Sequence, residues 1–208
     1  MKFTQFKQKI KNLPTFSSSL FSSITDDVDT LRVQLTKWKK KGLVIQLKKG
    51  LYVLGDKERE IEPSNFYLAN QIIIPSYISL ESALSYYGLI PEFVASITSI
   101  TIRKTCRFKN QFGTFIYQHI KSEGFTGFDL KKSNDLNILI ACPEKAVVDF
   151  LYLNLHEFTI KNKDIFKKSY RFQNCNNLSL RKIKYYAKIL KSKKLNVISE
   201  MFIQELIK

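Results

Sequence analysis

The stretch from Asp27 to Val53 constrains the fold most strongly, because its apolar periodicity changes halfway from that of a helix to that of strands. Its first half spaces apolar residues by 3, 4 and 3 positions, at Val28, Leu31, Leu35 and Trp38. These side chains share one face of a helix. Gly42 stands where a helix ends in the left-handed conformation. Residues 44–48 and 51–54 are two strand candidates, and Gly50 between them suits the positive φ of a tight hairpin.

The outer face of this helix and the tip of the hairpin are polar and mostly basic. The candidate DNA-contacting residues are Thr30, Arg32, Val33, Thr36, Lys37, Lys40, Lys48 and Lys49. An apolar-backed helix that has a basic outer face and leads into a two-stranded ribbon is the layout of a winged helix-turn-helix. In that layout the helix enters the DNA major groove and the ribbon lies along the flanking phosphates. We therefore predict binding to double-stranded DNA.

Two roles are predicted for these side chains. Base readout requires residues near the start of the recognition helix, which are Thr30, Arg32, Val33 and Thr36. Phosphate contacts require several donors on one face and no special spacing, and they are assigned to Arg32, Lys37, Lys40, Lys48 and Lys49. The alternative is an amphipathic helix of some other small domain with a solvated outer face. The two tip lysines favour DNA, because a hairpin tip requires only one or two polar residues.

The fold class is predicted to be α+β, with two domains and a linker. Residues 1–55 are predicted to form the winged helix-turn-helix, with helices over 2–12 and 16–24 before the helix that starts at Asp27. Residues 56–62 are polar, mixed in charge and without apolar periodicity, which indicates a linker. Residues 63–208 are predicted to form a larger C-terminal α/β domain that combines a small, mostly antiparallel sheet with C-terminal helices.

The predicted elements of the second domain follow from local patterns. A helix ends before Pro75, and a second runs over 79–88 with Ser79 as its cap. Residues 97–140 alternate as four or five short strands. Pro143 opens a strong helix. The remaining predictions are a short helix around 163–170, a helix over 180–190 with Leu180, Ile183, Ala187 and Leu190 inward, and a last helix over 196–207.

The formal net charge of +16 is concentrated at the two ends of the chain. Residues 1–55 hold 11 Lys and Arg against 3 Asp and Glu, and residues 161–208 hold 13 against 3, whereas residues 56–160 hold 10 against 12. Basic regions of this kind favour phosphate backbones or acidic partners. Only 6 of the 34 basic residues are Arg, a bias that an AT-rich genome produces, so part of the charge is alternatively solvated surface.

A second basic surface is predicted on the helix over 180–190. Its residues are Arg181, Lys182, Lys184, Lys188 and Lys191. They mostly avoid the inward face, so a solvated helix face is the default interpretation. The sharper interpretation is a second DNA contact or a docking surface for an acidic partner.

Enzyme signatures are largely absent from the sequence. There is no phosphate-binding Gly-rich loop, no dinucleotide-binding motif and no His-Glu-x-x-His. The two histidines, His119 and His156, are predicted to be structural, and Asp27 and Asp29 are predicted to cap a helix rather than to bind a metal. No catalytic residue, metal site or cofactor is predicted, although an unrecognised enzyme would require a pocket that joins a histidine to carboxylates.

The helix that begins at Pro143 also contains ionisable residues with a structural and a catalytic interpretation. Glu144, Lys145 and Asp149 are interpreted as a first-turn acid and an ion pair four residues apart, rather than as an acid–base group.

The three cysteines lie far apart and predict neither a disulfide framework nor a zinc site. The N-terminus is too charged for a signal peptide, and no apolar run approaches the roughly 20 residues of a membrane span. A cytoplasmic location without membrane contact is expected.

Three segments together resemble one family. They are LRVQLTKWKKKGLVIQLKKGLYVL, YISLESALSYYGLIPE with the following SITSITIRK, and ILIACPEKAVVDFLYL. This combination resembles the AbiEi-like antitoxins of abortive-infection type IV toxin–antitoxin systems. The resemblance runs in order from about residue 3 to residue 155. The Ser-Ala-Leu-x-x-Tyr-Gly-Leu and Pro-Glu-Lys-Ala segments make it more specific than the helix and ribbon alone.

The resemblance implies a DNA-binding repressor that binds operator repeats and regulates its own operon. It also implies a C-terminal domain that neutralises a nucleotidyltransferase toxin without forming a stable complex with it. Family-type DNA contacts fall on Arg32, Lys37, Lys40, Lys48 and Lys49. The lysine-rich C-terminus departs from the family pattern. The alternative function is a non-enzymatic binding protein whose basic surfaces dock an acidic protein or RNA.

Overall fold

The computed structural model describes residues 1–159 and 162–207. The described chain is a mixed α+β structure with a small antiparallel sheet, a larger mixed sheet and helices packed against both. There are two hydrophobic cores among these residues, and the small sheet contributes to both.

The N-terminal part combines three helices with a three-stranded antiparallel sheet. Its elements are α1 (Phe3–Ile10), β1 (Phe16–Ser17), α2 (Phe21–Ile24), α3 (Val28–Lys40), β2 (Val44–Lys48) and β3 (Leu51–Leu54). The strand order is β1-β3-β2. The prediction of a two-stranded ribbon and a helix over 16–24 is therefore incomplete. Phe16 of β1 pairs with Tyr52 of β3, and the two rings stack with their centroids 5.6 Å apart. The helix α2 begins only after a 3₁₀ turn over Ser18–Leu20.

The predicted apolar face of α3 is confirmed as part of the N-terminal core. Leu31, Leu35 and Trp38 are buried there. The Trp38 ring lies 5.3 Å from the ring of Phe3 and 5.0 Å from that of Phe6, so the end of α3 is packed against α1. This packing determines which face of α3 points outward.

The rest of the chain begins with a helix, a strand and a helix, continues with consecutive strands and ends with helices. Its elements are α4 (Asn65–Ile72), β4 (Ser76–Ile78), α5 (Leu80–Tyr86), β5 (Ser96–Thr101), β6 (Cys106–Asn110), β7 (Gly113–His119), β8 (Phe128–Ser133), β9 (Leu136–Ala141), α6 (Pro143–Leu153), α7 (Leu180–Ile189) and α8 (Lys193–Leu206). A short π-helical turn over Ile165–Ser169 replaces the helix predicted over 163–170.

The larger sheet has six strands in the order β6-β7-β5-β4-β9-β8. The pairs β5–β7 and β4–β9 are parallel, and the other three pairs are antiparallel. The prediction of a small, mostly antiparallel sheet of four or five strands is therefore corrected to a larger mixed sheet. The strand that sequence reasoning missed is β4, which is only three residues long and lies at the centre between partners distant in sequence.

Ser79 is the N-cap residue of α5, as predicted, but its side chain makes no cap hydrogen bond. Its hydroxyl donates instead to Asp149 at 2.8 Å, because β4 brings it against α6. Leu180, predicted to point inward, is 42% exposed. It is the first residue of α7 and lies beyond the packed face, whose buried members are Ile183 and Ala187.

The ribbon of β2 and β3 lies between the two cores. On one face, Val44, Tyr52 and Leu54 belong to the N-terminal core. On the other face, Ile45, Leu47, Leu51 and Val53 belong to the core of the larger sheet. Successive residues of a strand point to opposite faces, so both faces of the ribbon are buried.

The segment predicted as a linker, residues 56–62, is held by ion pairs. The Arg59 guanidinium donates to Asp56 and Glu62 and lies over the Phe112 ring at 5.4 Å. Glu58 accepts from Lys7 of α1 at 3.0 Å. The segment thus contacts both parts of the chain, and the division into domains stays a prediction.

The residues that precede β2 and follow β3 approach each other closely at Gly55. Its N–H donates to the Leu43 carbonyl at 2.8 Å, and a Cβ added at Gly55 would lie 2.1 Å from the Gly42 oxygen. A backbone oxygen cannot rotate away, so only glycine fits here.

We therefore expect Gly55→Ala to lower the free energy of unfolding by about 3 kcal/mol, the upper end of the overpacking range, as measured by urea denaturation. The matched control is Gly42→Ala, which meets no atom within 4 Å but has a φ of +71°. It should cost only about 1–2 kcal/mol, the penalty of the left-handed conformation. Equal losses for the two variants would contradict the assigned clash.

Candidate nucleic-acid interface

The outward face of α3 brings the predicted helix residues together. All six are exposed: Thr30, Arg32, Val33, Thr36, Lys37 and Lys40. Val33 is 56% exposed although it is apolar, in contrast to Leu31 and Leu35 on the buried face. The face therefore presents three cationic side chains, two threonine hydroxyls and one apolar side chain to solvent.

The first turn of α3 is organised by two aspartates. Asp27 caps the helix by accepting from the Thr30 N–H at 3.0 Å, as predicted, and hydrogen bonds from the side chain and backbone of Thr30 lower the pKa of Asp27. Asp29 accepts from the Arg32 guanidinium at 2.9 Å, in an exposed pair. The carboxylate thus holds Arg32 on the outer face before any ligand is present.

The tip of the ribbon differs from the prediction, which placed both Lys48 and Lys49 on an accessible hairpin tip. Lys49 is exposed, but Lys48 is half-buried, and burial together with the nearby charge of Arg103 lowers the pKa of Lys48. The Gly50 carbonyl accepts from the Ser18 N–H at 2.8 Å, which holds the turn against the start of the 3₁₀ turn. The run LYVL over 51–54 is apolar at four successive positions, and this signal of two-sided burial was available in the sequence.

A polar chain joins the end of α3 to the ribbon. The Lys39 ammonium donates to Gln46 Oε1 at 2.6 Å, and the Gln46 amide donates to the Lys48 carbonyl at 3.2 Å. The first bond crosses from α3 to β2 and the second lies within β2, so together they link the end of α3 to the ribbon tip.

The predicted C-terminal basic surface is exposed but partly neutralised. Its members are Arg181, Lys182, Lys184, Lys188 and Lys191, all exposed. The Lys184 ammonium lies 2.9 Å from Glu200, and that of Lys182 lies 3.9 Å from Glu144. Two of the five charges thus have acidic partners, which favours the interpretation as a solvated helix face.

A buried polar cluster joins α6 to β4 and was not anticipated. Asp149 is fully buried and accepts from Lys145, from the Tyr77 hydroxyl at 2.9 Å and from Ser79. Burial raises the pKa of Asp149, while the Lys145 charge opposes that shift. Lys145 is 1% exposed, so solvent-borne substrates do not reach the pair. The spacing of Lys145 and Asp149 was visible in the sequence, but nothing local indicated partners about 70 residues away.

The histidines lie apart on separate elements. His119 Nδ1 lies 3.1 Å from the Arg103 carbonyl, and His156 lies 3.5 Å from Glu157. Within residues 1–159 and 162–207, no group of three or more His, Cys, Asp or Glu side chains is arranged to hold a metal ion.

Over the same residues, no helix combines the length and apolar character needed to cross a membrane.

Comparisons with known proteins found no match. No protein-family model matches the chain, and no curated protein matches it. The geometry of α3 and the ribbon therefore carries the functional argument.

The buried pair yields a stability prediction. Lys145→Met leaves the Asp149 carboxylate without its counterion, and we expect a loss of about 3–5 kcal/mol in the free energy of unfolding, as measured by urea denaturation. The double variant Lys145→Met/Asp149→Leu removes both charges and should recover a large part of that loss. A double variant no more stable than the single one would show that the ion pair is not what Lys145→Met disrupts.

Proposed function

We propose that this protein is a DNA-binding transcriptional repressor that regulates its own operon and serves as the antitoxin of a type IV toxin–antitoxin system. The observation that carries DNA binding is the outward face of α3, where Arg32, Lys37 and Lys40 are exposed on a helix whose opposite face is fixed in a hydrophobic core. The antitoxin role is supported by the family resemblance of the sequence.

The arrangement of elements supports the same proposal. The order α1-β1-α2-α3-β2-β3, with strands arranged β1-β3-β2, is the order in which a winged helix-turn-helix places its elements. In that arrangement α3 is the recognition helix and its first two turns face base edges in the major groove. The two-sided burial of the ribbon limits the wing contact to the exposed tip at Lys49.

The proposed chemistry of readout follows from side-chain type. Arg32 donates two hydrogen bonds to a guanine, Thr30 and Thr36 donate or accept at neighbouring bases, and Val33 contacts a thymine methyl. Lys37 and Lys40, one turn further along, contact phosphates and set affinity without sequence preference. This function requires no catalytic residue in the chain.

The DNA-binding proposal predicts different effects for Arg32→Ala and Lys37→Ala. The ligand is a fluorescent duplex that carries the repeats upstream of the protein's own gene, and affinity is measured by anisotropy across a salt series. Arg32→Ala should weaken binding about 10- to 100-fold and reduce discrimination between operator and scrambled DNA. Lys37→Ala should weaken binding on every sequence and reduce the salt slope by about 1.

The matched control for these variants is Lys132→Ala, which removes an exposed lysine from β8 and should leave affinity unchanged. If Arg32→Ala binds operator as tightly as the natural protein, α3 is not the recognition helix. If duplex DNA binds no better than single-stranded RNA, the alternative of a basic docking protein for RNA is favoured.

The antitoxin proposal has its own test. The proposal predicts a nucleotidyltransferase gene adjacent to this one, and co-expression of the two genes should restore growth that the nucleotidyltransferase alone suppresses. Because the family resemblance assigns neutralisation to the C-terminal part, the Arg32→Ala/Lys37→Ala variant should still restore growth while failing to repress a reporter driven by the operator. Growth arrest that persists with the natural protein would refute the antitoxin role and leave DNA binding intact.

A further inference from the structure

The strand β8 forms one outer edge of the larger sheet. It pairs with β9 on one side, and within residues 1–159 and 162–207 no strand pairs with its other side. Such an edge presents a row of backbone N–H and C=O groups to which another strand can bind. The six residues of β8 include no proline, and the apolar side chain of Leu130 is 64% exposed at this edge. The edge is therefore regular enough to be paired.

The hydrogen bonds of β9 show which backbone groups of β8 face outward. Leu139 lies opposite Leu130, but its N–H donates to Asn70 Oδ1 at 2.8 Å and its carbonyl accepts from Asn70 Nδ2 at 3.3 Å. Leu130 and Leu139 are therefore a pair without mutual hydrogen bonds, and the N–H and C=O of Leu130 point away from β9. Because the two kinds of pair alternate in an antiparallel ladder, the N–H and C=O groups of Phe128 and Lys132 also face outward.

The residues on either side of Leu130 carry opposite charges. Asp129 is exposed, and the Lys131 ammonium lies over the Tyr87 ring, 4.7 Å from its centroid. Alternate residues of a strand point the same way, so Asp129 and Lys131 share one face of the sheet, and Leu130 lies on the other. The edge thus carries an acid, a leucine and a base in succession.

This succession is self-complementary in one register. When two copies of β8 run antiparallel about a twofold axis through Leu130, the two Leu130 residues face each other, and Asp129 of each copy faces Lys131 of the other. In the neighbouring registers, centred on Asp129 or on Lys131, two like charges face each other, which is destabilising. The Leu130-centred register also places the outward groups of Phe128 opposite those of Lys132, so that each outward N–H meets an outward C=O.

We propose that two copies of this chain form a dimer through β8 in the Leu130-centred register, which joins their larger sheets into one. The favoured occupant of the edge is a second copy rather than a peptide of another protein, because the edge is its own complement in charge, in apolar contact and in backbone pairing. An interface in which both copies use the same surface closes at two copies. The proposal does not depend on DNA binding, and its test uses no DNA.

Lysines on an edge strand ordinarily prevent pairing, because a like charge meets them when another copy approaches. In the Leu130-centred register Lys131 meets Asp129, and Lys132 meets Phe128, so neither lysine faces a like charge. The lysines therefore disfavour the shifted registers and permit this one. Because the contact is one strand long, we expect a reversible dimer of micromolar affinity rather than an obligate one.

A charge-swap experiment tests the dimer with the full-length protein, by sedimentation velocity over a concentration series. The natural protein should change from monomer to dimer as its concentration rises. Asp129→Lys and Lys131→Asp each replace two attractive pairs in the dimer with two repulsive ones, and each should raise the Kd of dimerisation about 10- to 100-fold. The matched control is Asp26→Lys, the same change at an exposed residue before α3, which should leave the Kd unchanged.

A mixture of the two variants separates pairing from a general effect of charge. In a mixed dimer of Asp129→Lys with Lys131→Asp, every lysine at these two positions faces an aspartate, so mixing should restore dimerisation. Circular dichroism verifies that each variant is folded. A natural protein that stays monomeric at every concentration overturns the proposal. It is also overturned if Asp129→Lys dimerises as the natural protein does, or if the mixture fails to dimerise.

Disulfide cross-linking tests the register. Opposed residues of a hydrogen-bonded antiparallel pair have Cα atoms about 5.5 Å apart, a separation that suits a disulfide. Leu130→Cys should therefore form a covalent dimer under mild oxidation, as seen on a non-reducing gel. The matched control is Lys132→Cys on the same face, whose two copies would lie about 13 Å apart, beyond the reach of a disulfide.

The natural protein, treated with the same oxidant, measures the background from Cys106, Cys142 and Cys175. A covalent dimer for Leu130→Cys, with only background for Lys132→Cys, supports the Leu130-centred register. Cross-linking of Lys132→Cys in preference to Leu130→Cys would refute that register, and equal cross-linking of both would indicate chance collisions rather than a built interface.

Discussion

Burial of the β2–β3 ribbon on both faces is the constraint on which the rest of the structure depends. Tyr52 and Leu54 complete the core under the N-terminal helices, and Leu51 and Val53, alternating with them, complete the core of the six-stranded sheet. Hydrophobic burial is the main driving force of folding, and here a single strand contributes alternate residues to two cores. Because the ribbon also follows α3 directly, this double packing fixes where the outward face of α3 lies.

The same packing determines which residues of α3 form the candidate interface. Trp38 is held between Phe3 and Phe6, so α3 cannot rotate about its axis without exposing an aromatic ring. Arg32 and Lys37 are therefore presented by a rigid element rather than by a loop. The cost of ordering side chains on binding is smaller when their backbone is already fixed, which suits a helix that must fit a groove.

Local sequence patterns predicted the helices well, but they did not predict contacts between residues distant in the sequence. The buried face of α3 follows from a period contained within a few turns, so Leu31, Leu35 and Trp38 were assigned correctly. The central strand β4 was missed because three residues after Pro75 give no alternation to detect. The cap position of Ser79 was predicted, but the partner of its hydroxyl was not, since Asp149 comes from a helix 70 positions later. The exposed α3 residues of the candidate site were predictable, whereas the proximity of Lys48 to Arg103 depends on how two sheets abut.

The ion pair between Asp29 and Arg32 has a consequence for selectivity in the proposed DNA complex. The Asp29 carboxylate competes with any incoming acceptor for the same guanidinium. A guanine that offers two acceptors in the right plane replaces that bond, but an adenine or a misplaced base does not. In the proposed complex the aspartate would therefore weaken binding to other sequences more than binding to the operator.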